Sequence, residues 1–246
     1  MTLDARRLAY LSALEIDVWE RRELPRPSVG PAPAPIAPQP AESPAVPRAD
    51  EPVGEVAALG WDDLVARVRG CTLCPLHATR TQSVFGVGNR AAQWMVIGEA
   101  PGAEEDRQGE PFVGRAGQLL NSMLKAMGLA REQVFIANIL KSRPPNNRDP
   151  RPEEVRACIP YLFRQIELVN PTLLLCVGRI AAQTLLETSE PIGKLRGVVH
   201  RIAGNRPMIV TYHPAYLLRS PGEKRKAWAD LVLAMRTYAR LQEGAR

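Results

Sequence analysis

Three side chains able to do chemistry each follow an apolar run: Glu99 after Trp94-Met95-Val96-Ile97-Gly98, Asn138 at the end of Val134-Phe135-Ile136-Ala137, and His213 after Met208-Ile209-Val210-Thr211-Tyr212. A fourth, Phe112, stands in the turn Pro111-Phe112-Val113-Gly114. A carboxylate can orient water or face a positive, sugar-like transition state, while an amide can read the donor and acceptor edge of a base. An imidazole can stabilise negative charge developing on a ring oxygen, and an aromatic ring can stack on the base. Together these groups describe hydrolysis of an N-glycosidic bond. Taken singly, each has a plainer explanation: an Asn that ends a strand is commonly a turn residue, a His before Pro is commonly structural, and a Glu in a Gly-rich turn can cap the next helix. Convergence is the signal, and it requires three strands whose carboxyl ends open on one side of a sheet.

The elements that would position these groups alternate along the chain. A helix capped by Asp62 is predicted through Arg69, closed by Gly70, followed by a strand over 94–98, a helix over 115–127, and a strand over 134–139. A helix over 152–169, a strand over 172–177, a helix over 179–187, a strand over 207–211 and a helix over 222–241 complete the series. Strands separated by helices imply right-handed crossovers and a parallel sheet covered on both faces. Between the first strand and its helix lies a loop with an unusual acidic load, Glu99, Glu104, Glu105 and Asp106. In the turn Gly98-Glu99-Ala100 it brings backbone close to the proposed ring pocket, while Glu104 and Asp106 are read as solvated or helix-capping.

The chain has 246 residues, 45% of them hydrophobic, which is enough for a sizeable core. Its 32 basic and 26 acidic residues leave a net charge of +6, a modest excess that suits an anionic partner without requiring one. No apolar run is long enough to span a membrane and no signal-peptide core is visible, so a soluble, cytoplasmic protein is expected, and a monomer because a helix-covered sheet needs no second subunit. Residues 1–24 carry Leu8, Leu11 and Leu14 at helical spacing, an amphipathic helix that either docks on the main domain or recruits a protein partner. Ten of the 23 prolines fall between residues 25 and 52, and residues 25–55 read as a disordered, semi-rigid Pro/Ala-rich linker. At about 3.1 Å per residue the stretch 25–52 reaches roughly 85 Å. A folded domain over 56–246 follows.

Three long motifs identify a family resemblance: GEAPGAEEDRQGEPFVGRAGQLL from Gly98, NILKSRPPNNR from Asn138 and YHPAYLLR from Tyr212. In this order they resemble the iron-sulfur uracil-DNA glycosylases, family 4 of the uracil-DNA glycosylase superfamily, over about residues 60–240. The resemblance implies a three-layer αβα sandwich around a four-stranded parallel sheet and a base excision repair enzyme acting on uracil in single- or double-stranded DNA. It implies that Glu99 positions or activates water, His213 stabilises the departing uracil anion, Asn138 reads the uracil edge and Phe112 stacks on it. It assigns Glu105 to crowding ring position 5 and so excluding thymine, and either Leu217 or Leu218 to wedging into the base stack. Phosphate contacts are sought among Arg115, Lys141, Arg143 and Arg219, with Arg107, Arg148, Lys194 and Arg196 as further candidates. A lesion-binding or partner-recruiting module without turnover is the alternative. Relatives that trap uracil do so through a histidine on an inserted loop, and none lies between Ser142 and Cys158.

The cysteines depart from the family. Cys71 and Cys74 form a CxxC and Cys158 lies downstream, matching three ligands of the [4Fe–4S] cluster that the resemblance implies. Ser142 stands where the family has its fourth cysteine, in KSRPPNNR. Three readings stay open: a cluster completed by Ser142 or another ligand such as His77, a labile cluster, or none. If formed, the cluster braces the loop Lys141–Arg148 and takes no part in bond cleavage. Cys176, inside an apolar run, reads as a buried small hydrophobe.

Overall fold

Apolar runs bounded by turn residues become strands buried on both faces when helices cover a parallel sheet. In the computed structural model, which describes residues 53–202 and 204–244, this is how the central strands form. Residues 1–24, with the amphipathic helix read there, and the linker up to residue 52 lie outside the described residues. The last three residues assigned to the linker belong instead to a short helix, α1 (Val53–Ala57).

Four strands, β2 (Trp94–Gly98), β3 (Phe135–Asn138), β4 (Leu173–Val177) and β6 (Arg206–Thr211), run parallel. Two short antiparallel strands extend them, β1 (Val87–Gly88) beside β3 and β5 (Val199–Ile202) beside β6, for the order β1-β3-β2-β4-β6-β5. The expected four-stranded parallel sheet is therefore the centre of a six-stranded one. The edge strands escaped the sequence reading because one has two residues and the other alternates exposed with half-buried positions.

Side chains alternate across a strand, so each central strand feeds two cores. Met95 and Ile97 pack on one face with Leu64 and Val68 of α2 (Trp61–Arg69), Tyr161, Leu162 and Ile166 of α5 (Pro152–Val169), and Ala181 and Ala182 of α6 (Arg179–Leu185). Trp94 and Val96 pack on the other with Leu120 and Leu124 of α4 (Arg115–Ala126) and with Ala227, Leu231 and Ala234 of α9 (Lys224–Glu243). This is the three-layer sandwich. Short helices α3 (Ala103–Gln108), α7 (Ile192–Leu195) and α8 (Pro214–Arg219) interrupt segments that the periodicity left as loops. No helix among the described residues is long and apolar enough to cross a membrane.

Candidate active site

The β2–β3 ladder continues past the strand ends, where Ile139 N donates to Gly98 O (3.0 Å) and Leu140 N to Glu99 O (3.0 Å). Gly98 is in register with Asn138, which holds Glu99 beside the amide. A Cβ on Gly98 would lie 2.3 Å from Asn138 Oδ1 and 2.6 Å from Phe112 Cζ, so the backbone must be bare for the amide and the ring to close in. Asn138 is 2% exposed and its Oδ1 is buried without a hydrogen-bond partner. An unmet buried acceptor costs about 1–3 kcal/mol unless a ligand meets it.

A cleft of about 710 Å³ opens here, lined by Glu99, Ala100, Glu105, Phe112, Asn138 and His213. Burial, reinforced by the nearby negative charge of Asp149 and opposed by Arg179, pushes the Glu99 carboxyl up to about 7. His213 is pushed down to about 4, chiefly by burial and then by the Arg219 charge, so its imidazole is neutral near pH 7. Ala215 N donates to His213 Nδ1 at 3.1 Å, which places the ring proton on Nε2. The same bond caps α8, whose first residue is Pro214. Phe112 stacks on the imidazole with centroids 5.6 Å apart and holds φ at 55°, a left-handed conformation costing a bulky residue about 1–3 kcal/mol.

The acidic residues of the first motif divide by partner. Glu105 accepts from Gly102 N (3.1 Å), Val113 N (3.0 Å) and Gly114 N (3.1 Å), clamping both turns together at the cleft wall. Asp106, expected at the surface or as a cap, is buried and accepts from Thr81 N at 2.9 and 3.0 Å. Glu104 pairs with Arg107 at the surface.

Several expected DNA contacts are placed otherwise. Lys141 is 2% exposed, its ammonium donating to Asn138 O (2.7 Å) and Gln165 Oε1 (2.6 Å), and therefore does not reach the surface. Arg148 is held by both oxygens of Glu154, and Arg196 by both oxygens of the buried Asp230. Lys194 pairs with Glu190 at 2.9 Å. Arg219 lies exposed at the cleft, Arg115 lies exposed at the start of α4, and Arg143 binds Asn147 Oδ1 at 2.7 Å. Leu217 is 1% exposed and belongs to the α4 and α9 core, whereas Leu218 is 37% exposed. Of the two leucines expected as the wedge, Leu218 alone is exposed. Leu217→Ala is expected to lower stability by about 2–5 kcal/mol. Leu218→Ala should leave the melting temperature unchanged and weaken action on duplex DNA more than on single strands. Equal duplex activity in wild type and Leu218→Ala would remove the wedge.

Cys71, Cys74 and Cys158 lie near enough to act on one another's charge, and burial pushes the Cys158 thiol up to about 12. Cys71 Sγ accepts from Tyr161 OH (3.2 Å) and Cys158 Sγ from Lys141 N (3.2 Å). The buried Ser142 hydroxyl accepts from Arg80 Nη1 at 2.8 Å, and Nη2 of the same guanidinium donates to the carbonyls of Cys71 and Arg69, each at 3.0 Å. His77 turns its Nδ1 to Cys74 O (2.8 Å). Among the described residues no group of three or more His, Cys, Asp or Glu side chains is disposed to hold a metal ion. The donor set is thus three thiols and a hydroxyl already bound by arginine, which does not fit a four-thiolate cluster. Cys176 is fully buried and its thiol is pushed up by burial, the apolar role expected of it.

Asp149, Arg179 and Tyr212 are among the cleft residues that escaped the sequence reading. Arg179 follows the strand β4 and Gly178, the same strand-to-turn signal that marked the other three positions. Asp149 carries no local signal, because only the path of its loop brings it to the cleft.

The sequence profile of the uracil DNA glycosylase superfamily matches residues 85–232. Over 176 residues the chain is 47% identical to the type-4 uracil-DNA glycosylase of Archaeoglobus fulgidus, covering 69% of this chain and 88% of that one. The type-4 uracil-DNA glycosylase of Pyrobaculum aerophilum is 44% identical over 173 residues, 68% of this chain and 88% of its own. That of Thermotoga maritima is 46% identical over 155 residues, 63% and 81% respectively.

Proposed function

The chain belongs to the uracil DNA glycosylase superfamily, alongside its type-4 members, and from that membership we propose that it excises uracil from DNA by hydrolysing the N-glycosidic bond. The observation that carries the reading to this chain's own residues is the buried, partnerless Oδ1 of Asn138, an acceptor awaiting the N–H of a base. The extruded uracil lies on Phe112 with its edge on Asn138. The C1′–N1 bond breaks with its electron pair leaving on the ring, and His213, neutral with its proton on Nε2, donates to the ring oxygen where that charge collects. Glu99 faces the sugar, offsetting its positive charge and taking a proton from the water that adds to C1′. Glu105, fixed by three backbone amides, forms the wall against a 5-methyl group. Gly98 and Ala100 keep the turn narrow enough for this packing. Arg115, Arg143 and Arg219 supply phosphate contacts around the cleft.

Incubating the purified chain with a uracil-containing single-stranded oligonucleotide should produce alkali-labile sites. Retained binding with no such sites would leave the non-catalytic module as the function. Residues 1–24 and 25–52 are part of the same proposal, a partner-binding element on a tether to a monomeric glycosylase domain.

No catalytic step runs through iron. The cluster positions would be Cys71, Cys74, Cys158 and Ser142, but the Arg80–Ser142 bond already braces the loop beside Lys141. The wild-type protein, reconstituted anaerobically, should bind iron below cluster stoichiometry. Ser142→Cys should take up a full complement with the broad visible absorbance of a thiolate cluster. A stoichiometric cluster in the wild type would show that Ser142 or another ligand completes the site.

A further inference from the structure

Lys141 is one of the largest fully buried side chains, and its Nζ meets two neutral oxygens, Asn138 O (2.7 Å) and Gln165 Oε1 (2.6 Å). Its backbone is fixed as well, the N–H donating to Cys158 Sγ (3.2 Å) and the carbonyl accepting from Val84 N (2.7 Å). β1 pairs with β3 as far as Val87 and Ile136, and that register, carried on, sets Phe85 opposite Asn138. There side chains stand in for the ladder. Gln165 Nε2 donates to Phe85 O (2.9 Å), Gln165 Oε1 accepts from Lys141 Nζ, and Lys141 Nζ donates to Asn138 O. Across the same peptide, Ile139 N donates to Gly98 O at 3.0 Å. The peptide that follows Asn138 is thus pinned at its carbonyl by Lys141 and at its N–H by the end of β2.

We propose that Lys141 is a positioning residue for uracil recognition: it aims the Asn138 amide by holding the backbone that carries it, with Gln165 as its brace. This rests on the glycosylase reading of the cleft. Asn138 Oδ1 has no hydrogen-bond partner in the protein, so its aim follows from the backbone and from packing against Gly98 and Phe112. Lys141 is buried and does not line the cleft, so its influence on the base passes through Asn138. An amine, protonated or neutral, has a donor for each of the two oxygens, and the brace does not depend on its charge. An apolar side chain of the same length would avoid the desolvation of a buried amine but would leave both oxygens unmet. Precision at this strand end matters, because a displacement of about 1 Å at a reacting centre can cost on the order of a hundredfold in rate.

Lys141→Met keeps the length of the side chain and removes the donor. It is expected to raise KM for excision from a uracil-containing single strand about tenfold with kcat nearly unchanged, the loss of one hydrogen bond made before the bond breaks. Free uracil, the product, should bind the variant about tenfold more weakly for the same reason. Uracil-free DNA should bind as it does to wild type, with the same salt dependence. Gln165→Met leaves Lys141 in place without its brace and should raise KM by a smaller factor, which serves as the test where Lys141→Met fails to fold. In an Asn138→Ala background Lys141→Met should change KM less than about twofold, because residues that act through one contact are not additive. A second loss of the full size in that background, an altered salt slope for uracil-free DNA, or wild-type KM in both single variants would overturn the proposal. A wild type that neither excises uracil nor binds it free would remove the glycosylase reading, and this role with it.

Discussion

Glu99→Gln is expected to slow uracil excision by about 10²–10⁴-fold, the range for losing a positioned base, while uracil-DNA binding is retained. The wild-type enzyme should show kcat/KM rising about tenfold per pH unit up to about 7 and level above it. The ionised carboxylate is the active form, and burial together with Asp149 holds that ionisation near 7. His213 is pushed down to about 4 and stays neutral across this range, so it adds no second limb above pH 5. The glutamine variant should give a flat profile. Its stability should move the other way. A folded-state value above the usual carboxylate range means that Glu99 stabilises the fold while protonated, at low pH, and that this contribution is lost as pH rises through about 7. The variant should therefore melt higher than wild type at pH 8 and not at pH 4. A wild-type profile flat from pH 5 to 8 would refute the assignment of Glu99.

The second large effect is expected at His213, where catalysis and folding use different ring nitrogens. Nδ1 accepts from Ala215 N and caps α8, while the proposed mechanism uses the proton on Nε2 for the leaving uracil. Asparagine is a good capping residue, so His213→Asn keeps an acceptor for the helix and loses the reach of Nε2. We expect kcat to fall by about 10²–10³-fold, the cost of one donor to a developing oxyanion, with the melting temperature near that of wild type. His213→Ala should show the same loss of rate together with about 0.5–2 kcal/mol of destabilisation from the lost cap. An asparagine variant that turns over at nearly the wild-type rate would reduce His213 to a capping residue.

A lysine in a basic loop, an aspartate in an acidic run and two adjacent leucines look alike within a short window. Basic, proline-rich neighbours make Lys141 look like a phosphate ligand, yet its Nζ lies under the strand end, against Gln165 of α5. Asp106 has the look of a solvated or helix-capping residue and instead anchors the backbone of Thr81 and Gln82. Leu217 and Leu218 separate only because α8 turns one toward the α4 and α9 core and the other toward solvent.

The sequence by itself determined the alternation of strands and helices, the sheet centre and the three strand ends bearing Glu99, Asn138 and His213. These follow from periodicity and turn chemistry, which act over a few residues and leave a local imprint. The loop Val96–Gln118 and the family motifs were legible for the same reason. Tertiary structure alone decided the partners of the charges and polar groups that meet across the chain. It bound Arg148 to Glu154 and Arg196 to Asp230, left Asn138 Oδ1 unmet and brought Arg80 to Ser142, 62 positions away. It also carried Asp149 to Arg179 at the edge of the cleft. Coulombic and hydrogen-bond partnerships depend on distance in space and on burial, and chain separation encodes neither.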